Sequence, residues 1–194
     1  MQLHSLRIKK IQQKDAVIFW RLLDANRQTL ERWMPRIREN SSIEINEKIV
    51  ESFVEEMSAG KSVRCLIYAN CEPAGYVGIK IDKLNKNCDV SYWVCEKQRG
   101  RGIAKGAVKL MIDESFTSLD LHKFYLSAST RNTASISVAQ SLGFIREGTL
   151  REHELLEDGY HDISIFSLLR KDWMSLQQQE IDYLANKIIK IEEQ

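Results

Sequence analysis

Arginines and glycines alternate in the short run 99–104, between a strand-like segment (89–94) and a helix-like segment (102–116). A strand that leads through such a turn into a helix directs several free backbone N–H groups, and the positive end of the helix dipole, at one point in space. The glycines let the backbone approach an anion closely, and the arginines can pair with phosphate oxygens. The run therefore predicts a phosphate-binding loop, made by Arg99, Gly100, Arg101, Gly102, Ile103 and Ala104.

Two common nucleotide-binding motifs do not fit this run. A dinucleotide-binding fingerprint requires a small residue three places after Gly102, where the chain has Lys105, and Gly106 comes one place too late. A P-loop requires glycine followed by Lys and Ser or Thr at the end of a longer loop, which residues 101–103 do not provide. Taken alone, the run is also compatible with an ordinary turn at the start of a helix.

A second motif, residues 132–144, carries the start and stop signals of a short helix. Asn132 is a suitable N-cap, and the apolar residues that follow supply one buried side. Gly143 can adopt the left-handed conformation after the helix, with Phe144 packing behind it.

The two motifs, in this order, resemble the GNAT superfamily of N-acetyltransferases. The pyrophosphate loop of that superfamily, Arg/Gln-x-x-Gly-x-Gly/Ala, is matched by Arg99, Gly102 and Ala104. Its Asn-x-x-Ser…Leu-Gly-Phe stretch is matched by Asn132, Ser135 and residues 142–144.

Further segments narrow the resemblance. Residues 24–35, Tyr92-Trp93 and residues 151–162 are similar to the branch that acetylates the N-termini of ribosomal proteins, together with its relatives. The resemblance covers residues 3–171 and leaves the rest of the chain without a counterpart.

The resemblance implies an α/β fold with a mixed, mostly antiparallel central sheet, flanking helices and two splayed parallel strands. In this fold the pantetheine arm of acetyl-CoA lies in the gap between the splayed strands, which here would be 88–94 and 123–128. Acetyl-CoA is then the acetyl donor and CoA the product. The residues expected to bind it are Tyr92, Trp93, Val94, the loop residues 99–104, Asn132 and Ser135.

The acceptor is a primary amine, which must be neutral to attack the thioester. A free α-amine has a pKa of about 8 and a lysine one of about 10.4, so the α-amine needs less help at neutral pH. A protein N-terminus, such as that of a ribosomal protein, is therefore the expected acceptor. A lysine, a polyamine or another small amine is an alternative, and a non-catalytic module that binds acyl-CoA is an alternative of another class.

The resemblance also suggests catalytic and acceptor-binding residues. Glu154 is expected to take the amine proton through water, and Ser135 to donate a proton to the leaving thiolate or to contact CoA only. Trp33, Tyr92, Glu154 and His161 are expected to line the acceptor pocket. The residue types alone also allow a solvated carboxylate at 154, a helix cap at 135 and core packing at 33 and 92.

The pattern along the chain predicts the elements that position these residues. Apolar periodicity and turn signals predict an α/β order, with hairpins at 70–73 and at Asp158-Gly159. The strands are predicted at 3–11, 63–69, 74–81, 88–94, 123–128, 144–155 and 160–169, and the helices at 15–23, 27–33, 45–59, 102–116 and after 132.

Length and composition predict one acetyltransferase domain, residues 1–171, and an amphipathic helical tail, residues 172–194. With 194 residues and 43% hydrophobic residues, the chain can bury a substantial core. Apolar residues recur at helical spacing in the tail, which predicts packing on the domain or a contribution to a homodimer. They are Ile181, Leu184, Ile188 and Ile191.

Charge and cysteine usage argue against several classes of protein. The net charge of +1 gives no case for direct binding of nucleic acid or a membrane, and no apolar run has the length of a membrane span. The N-terminus lacks a signal peptide, so a cytoplasmic protein with reduced cysteines is expected. His153 and His161, with Asp162 beside them, might suggest a metal, but the two histidines lack a third spaced ligand, so no metal is expected. Direct transfer is expected rather than a relay through Cys95.

Overall fold

The computed structural model describes the backbone of residues 5–192 and the side chains of residues 5–183. Seven strands form one sheet in the order β1-β2-β3-β4-β5-β7-β6, and neighbours pair antiparallel except β4 and β5. The strands are β1 (Leu6–Lys10), β2 (Ser62–Ala69), β3 (Glu72–Asp82), β4 (Asn87–Val94), β5 (Lys123–Ser129), β6 (Ile145–Leu156) and β7 (Gly159–Leu169). The helices are α1 (Ala16–Ala25), α2 (Arg27–Glu31), α3 (Ile43–Ser58), α4 (Ile103–Ser118), α5 (Thr133–Ser141) and α6 (Arg170–Glu192). The predicted mixed, mostly antiparallel α/β fold is confirmed.

The parallel strands β4 and β5 separate after a short paired segment. Their register runs only from Asn87 opposite Lys123 to Asp89 opposite Tyr125. Beyond this point β4 continues beside β3, and β5 continues beside β7. The space between residues 90–94 and 126–129 is called the β4–β5 gap below, and it confirms the predicted splay.

Alternation along the strands divides the core between two faces of the sheet. On one face, called the α4 face, Cys88 and Val90 belong to a buried cluster that also contains residues of α4, and Tyr92 packs against it. On the other, called the α1 face, Trp93 belongs to a cluster with Phe19 and other residues of the α1–α3 region. The β4–β5 gap therefore connects two differently lined sides of the sheet.

Local capping signals determine where α5 begins and ends. The Asn132 side chain accepts a hydrogen bond from the Ser135 N–H at 3.2 Å, as predicted for an N-cap. Gly143 has φ +81°, the Gly143 N–H donates to the Gln140 carbonyl, and the Phe144 N–H donates to the Ala139 carbonyl. This pair of bonds is the Schellman arrangement expected where a glycine follows a helix.

Hairpins and helix ends differ from the sequence prediction by small shifts. Asn70 and Cys71, both with positive φ, turn the β2–β3 hairpin, and residues 157–158 turn β6 into β7, one place before the predicted pair. The helix predicted at 27–33 ends at Glu31 and is followed by a 3₁₀ turn, Pro35–Glu39, because proline restricts the residue before it. Residues 3 and 4 of the predicted first strand lie outside the described part of the chain.

The predicted tail is the continuation of one helix, α6, that begins at Arg170. Its first turns pack on the domain, since the Trp173 ring lies 5.2 Å from that of Phe116 and its Nε1–H donates to Asp113 at 2.8 Å. Ile181 is exposed. The side chains of Leu184, Ile188 and Ile191 lie outside the described residues, and a homodimer through this tail stays a prediction.

Candidate active site

The predicted phosphate loop leads from β4 into α4 with two left-handed glycines. Gly100 has φ +72°, and Gly102, the N-cap of α4, has φ +74°. The first turn of the helix is closed by the Gly106 N–H, which donates to the Gly102 carbonyl at 2.9 Å. The N–H groups of residues 103–105 precede this bond, so they have no acceptor within the helix and lie at the positive end of its dipole.

The space in front of the loop is open. A Cβ at Gly100 or at Gly102 would meet no heavy atom within 4 Å, so glycine is required here by the backbone conformation rather than by crowding. Arg99 and Arg101 are exposed, while the side chain of Ile103 is buried in the core. The loop therefore fits a pyrophosphate through its backbone N–H groups and its two arginines.

The Tyr92 hydroxyl lies on the α4 face and lacks a hydrogen-bond partner. It is buried, and no described residue bonds to it within hydrogen-bond geometry. Burial raises the pKa of Tyr92, and the neighbouring Ser135 hydroxyl acts in the opposite direction. A buried hydroxyl without a hydrogen-bond partner costs free energy of folding unless a ligand supplies the partner. Tyr92 and Ser135 therefore fit a polar group that enters the β4–β5 gap beside them.

Two of the other predicted cofactor residues have buried side chains. The Trp93 ring is 6% exposed and packs near the rings of Phe19 and Tyr76, at 6.1 and 6.5 Å. Val94 is likewise buried, on the α4 face. Only the backbone of these two residues can border the gap, which restricts the role predicted for them to main-chain contacts.

The predicted acceptor residues Trp33, Glu154 and His161 come together on the α1 face. Glu154 pairs directly with His161 in the β6–β7 register, which places their side chains on the same face. The Trp33 ring lies 6.4 Å from the His161 ring in an edge-to-face arrangement. The fourth predicted acceptor residue, Tyr92, packs against the opposite face.

Glu154 is exposed and lies near the point where β4 and β5 separate. Partial desolvation raises the pKa of Asp89, and the negative charge of Glu154 raises it further against the opposing effects of Lys80 and Arg64. Asp89 is the last residue of β4 that pairs with β5. The Glu154 carboxylate is thus close enough to Asp89 for an electrostatic interaction across the sheet.

His161 is buried, and both of its ring nitrogens have partners. Nδ1 lies 2.7 Å from the Ser129 hydroxyl, and Nε2 lies 2.6 Å from Asp158. Arg131 completes the network, because its backbone N–H donates to the Ser129 Oγ at 3.2 Å and its guanidinium lies 3.0 Å from Asp158. The hydrogen bond with His161, together with the positive charge of Arg131, holds the pKa of Asp158 below its usual value.

Both ring nitrogens of His161 already have partners within the protein. The predicted contribution of His161 to the acceptor pocket therefore stays a prediction, and it concerns the ring rather than a free nitrogen. Sequence reasoning missed Ser129, Arg131 and Asp158. The only local signal is the proximity of Asp158 to His161 in the hairpin, because Ser129 is 32 residues away.

The fold and this arrangement agree with comparisons to known proteins. Residues 5–145 match the acetyltransferase (GNAT) domain family, and the chain belongs to it. The protein is therefore an N-acetyltransferase that uses acetyl-CoA. In a solved structure of RimL, a ribosomal L7/L12 α-N-protein acetyltransferase in complex with coenzyme A, the fold is similar with a TM-score of 0.84, at 23% identity over 88% of this chain and 96% of that one.

Relatives of known name act on different acceptors. The ribosomal-protein-serine acetyltransferase of Escherichia coli K12 is 27% identical over 164 residues, which are 84% of this chain and 92% of the relative. The spermidine N(1)-acetyltransferase of Escherichia coli K12 is 26% identical over 159 residues, which are 81% and 82% of the two chains. Both protein and small-amine acceptors thus occur among similar enzymes.

The described part of the chain lacks two kinds of feature. None of its helices is both long enough and apolar enough to cross a bilayer. Within the same residues, no three His, Cys, Asp or Glu side chains are grouped so that they could hold a metal ion.

Proposed function

We propose that this enzyme transfers the acetyl group of acetyl-CoA to the N-terminal α-amine of a protein, such as a ribosomal protein, by direct attack of the amine on the thioester. The observation that carries the proposal is the division of the site by the β4–β5 gap. Tyr92 and Ser135 lie on the side of α4 and the phosphate loop, and the exposed Glu154 carboxylate lies on the other.

This division gives each side a separate task. The donor enters from the α4 face, with its phosphates at residues 99–104 and its thioester in the gap. The amine approaches from the α1 face, where Glu154 accepts its proton through a water molecule. On the donor side, the Ser135 hydroxyl and the Tyr92 hydroxyl stabilise the departing thiolate, and a CoA thiol needs only modest assistance because its pKa is comparable to the value of about 8.5 for cysteine.

An α-amine suits this site better than a lysine. At neutral pH a sizeable fraction of an α-amine with a pKa of about 8 is already neutral, so one exposed carboxylate suffices as base. A lysine, with a pKa of about 10.4, would need a stronger base or a site that lowers its pKa. The similarity to the ribosomal-protein-serine acetyltransferase supports the same acceptor class.

A second candidate acceptor is a polyamine, which is favoured by the similarity to a spermidine N(1)-acetyltransferase. The experiment that separates the candidates uses three acceptors with acetyl-CoA. They are a lysine-free hexapeptide with a free N-terminus, an N-formylated hexapeptide with one internal lysine, and spermidine. Mass spectrometry should detect acetyl transfer to the free α-amine at a kcat/KM at least tenfold above that of the other two.

A preference for spermidine in that comparison would replace the proposal by polyamine acetylation. Acetyl-CoA binding without transfer to any acceptor would favour a binding module or an amine outside these classes.

A further inference from the structure

A cavity of about 220 Å³ lies on the α1 face, between β2–β4 and the α1–α3 region. Ser91 and Trp93 line it from the sheet, and both belong to the part of β4 that has separated from β5. Met34 lines it from the segment that follows α2. The neighbouring residue, Trp33, has its ring 6.4 Å from that of His161. The cavity therefore adjoins the acceptor side of the β4–β5 gap, and the proposed mechanism leaves it without a role.

The lining of the cavity is mostly apolar and carries no negative charge. Four aromatic rings contribute to it, and among its lining residues in the described chain there is no carboxylate, whereas two arginines are present. Such a wall disfavours a cationic occupant, such as a polyamine or a lysine side chain. For comparison, an apolar cavity of about 150 Å³ accommodates a benzene molecule. The aromatic residues are Phe19, Phe53, Tyr76 and Trp93.

Two polar atoms of lining residues are buried without a partner. Asn40 is 4% exposed, and its amino group donates to Asn46 Oδ1 at 3.0 Å, but its Oδ1 accepts no hydrogen bond from the described residues. Arg64 donates from Nη1 to the Tyr76 hydroxyl at 2.8 Å and from Nη2 to Glu56 at 3.0 Å, while its Nε–H has no acceptor there. Buried polar atoms are normally paired, so these two indicate a ligand that supplies partners.

One of the two atoms is an acceptor and the other a donor, and a peptide group offers a partner of each kind. Asn40 Oδ1 can accept from an amide N–H, and Arg64 Nε–H can donate to an amide carbonyl. An apolar side chain attached to such a group would enter the space between the aromatic rings. A fully protonated polyamine has donors and no acceptors, so it would leave the Arg64 Nε–H without an acceptor.

We propose that this cavity binds the side chain of the first residue of the acceptor, and that this side chain is large, apolar and uncharged, as in leucine, methionine or phenylalanine. The inference rests on the proposed function and adds the specificity of the same site. Apolar burial supplies the affinity, and the peptide group next to the reacting amine pairs with Asn40 and Arg64.

A cavity-filling substitution with a matched control tests this proposal. Ile49→Phe adds a ring inside the cavity, because Ile49 lines it. Ile45→Phe makes the same change one helical turn earlier on α3, at a residue that is 38% exposed and does not line the cavity. Met34→Trp fills the cavity from another wall and serves if Ile49→Phe unfolds, which thermal melting reports.

Transfer rates are measured on hexapeptides that differ only in a first residue of Leu, Met, Phe, Ala or Ser. The native enzyme should acetylate the Leu, Met and Phe peptides with a kcat/KM at least tenfold above that of the Ala and Ser peptides. Ile49→Phe should bring the Leu, Met and Phe rates to within about twofold of the Ala and Ser rates, and Ile45→Phe should keep the native pattern. Equal rates in the native enzyme, a preference for Ser or Ala, or a uniform loss in Ile49→Phe would overturn the cavity proposal.

Calorimetric titration of the Leu peptide into the CoA-loaded protein separates this inference from the proposed function. Binding that is weakened by Ile49→Phe and not by Ile45→Phe, without any acetyl transfer, would support the cavity and refute the transfer reaction. Transfer to α-amines without a preference for large first residues would support the transfer reaction and refute the cavity proposal. The absence of both peptide binding and acetyl transfer would refute the cavity proposal and the transfer reaction together.

Discussion

Glu154 lies directly opposite His161 in the pairing of β6 with β7, yet only one of the two offers a free polar group to a substrate. His161 is 3% exposed and has hydrogen-bond partners at both ring nitrogens, whereas Glu154 is exposed and has no ion-pair partner among the described residues. His161 therefore stabilises the β6–β7 hairpin through its hydrogen bonds, and the Glu154 carboxylate on the same hairpin stays unpaired among the described residues.

Glu154→Gln tests the carboxylate as the proton acceptor. The amide keeps the size of the side chain and removes its basicity, so kcat should fall about 10²-fold, in the range typical of general base catalysis, while the Kd for acetyl-CoA stays unchanged. Steady-state kinetics and calorimetry measure the two quantities. Glu157→Gln, at another exposed residue of the same hairpin, is the control, and an equal loss in both variants would assign the effect to surface charge.

Tyr92→Phe tests whether the buried hydroxyl serves catalysis instead of folding. The hydroxyl makes no hydrogen bond within the described residues, so its removal should leave the free energy of unfolding unchanged or raise it by up to about 1 kcal/mol. Transfer should fall about tenfold if the hydroxyl pairs with the thioester region. Denaturant unfolding and kcat are measured beside Tyr160→Phe, at an exposed residue, and a destabilised but fully active Tyr92→Phe would contradict the role.

Gly102→Ala tests the left-handed N-cap of α4. At φ +74° an alanine costs about 1–2 kcal/mol of stability, although no neighbouring atom would clash with its Cβ. The displaced N–H groups should also raise the Kd for acetyl-CoA, as measured by calorimetry. Gly102→Asn should recover part of both losses, because asparagine tolerates this conformation.

Gly148→Ala is the matched control for that substitution. Gly148 has open space around it and does not have a positive φ. Unchanged acetyl-CoA affinity in Gly102→Ala would mean that the loop conformation does not support phosphate binding.

The buried thiol of Cys65 leads us to expect that the free energy of unfolding falls at alkaline pH. Burial raises the pKa of its thiol from 9.0 to about 12, so between these values the unfolded chain releases a proton that the folded protein keeps. The contribution is fully present below pH 9 and is lost as pH rises, by about 1.4 kcal/mol for each pH unit. Burial raises the pKa of Cys88 as well, which steepens the same loss.

Unfolding free energies at pH 8, 9 and 10 measure this slope. Cys65→Ala should give a shallower decline above pH 9, whereas Cys71→Ala, at an exposed cysteine, should keep the native slope. Equal slopes in the two variants would show that other groups cause the decline.

Features set by a few neighbouring residues could be predicted from the sequence by itself. Gly102 precedes a helix whose first N–H groups have no partner inside it, and Asn132 and Gly143 cap α5 through bonds that span only a few positions. These arrangements depend on backbone conformation and on side chains adjacent in the chain. The phosphate loop, the caps and most strand positions therefore followed from residue order.

The positions of the acceptor residues depended on tertiary structure. In β6, residues 151–153 bulge opposite Asp162, whose carboxylate accepts the Glu152 N–H at 2.8 Å, and this bulge sets the register that brings Glu154 opposite His161. Simple alternation along β6 cannot reveal such a shift, because the two extra residues of the bulge change which residue of β7 each later residue of β6 faces.

The sequence by itself thus determined the family motifs, the glycine-containing turn before α4 and the order of the elements. Only the tertiary structure decided that His161 is buried and bonded to Ser129 and Asp158, and that the α1–α3 region encloses a cavity beside the β4–β5 gap. The physical reason is that these features arise from packing between segments far apart in the chain, and local propensity and periodicity contain no information about which distant surfaces meet.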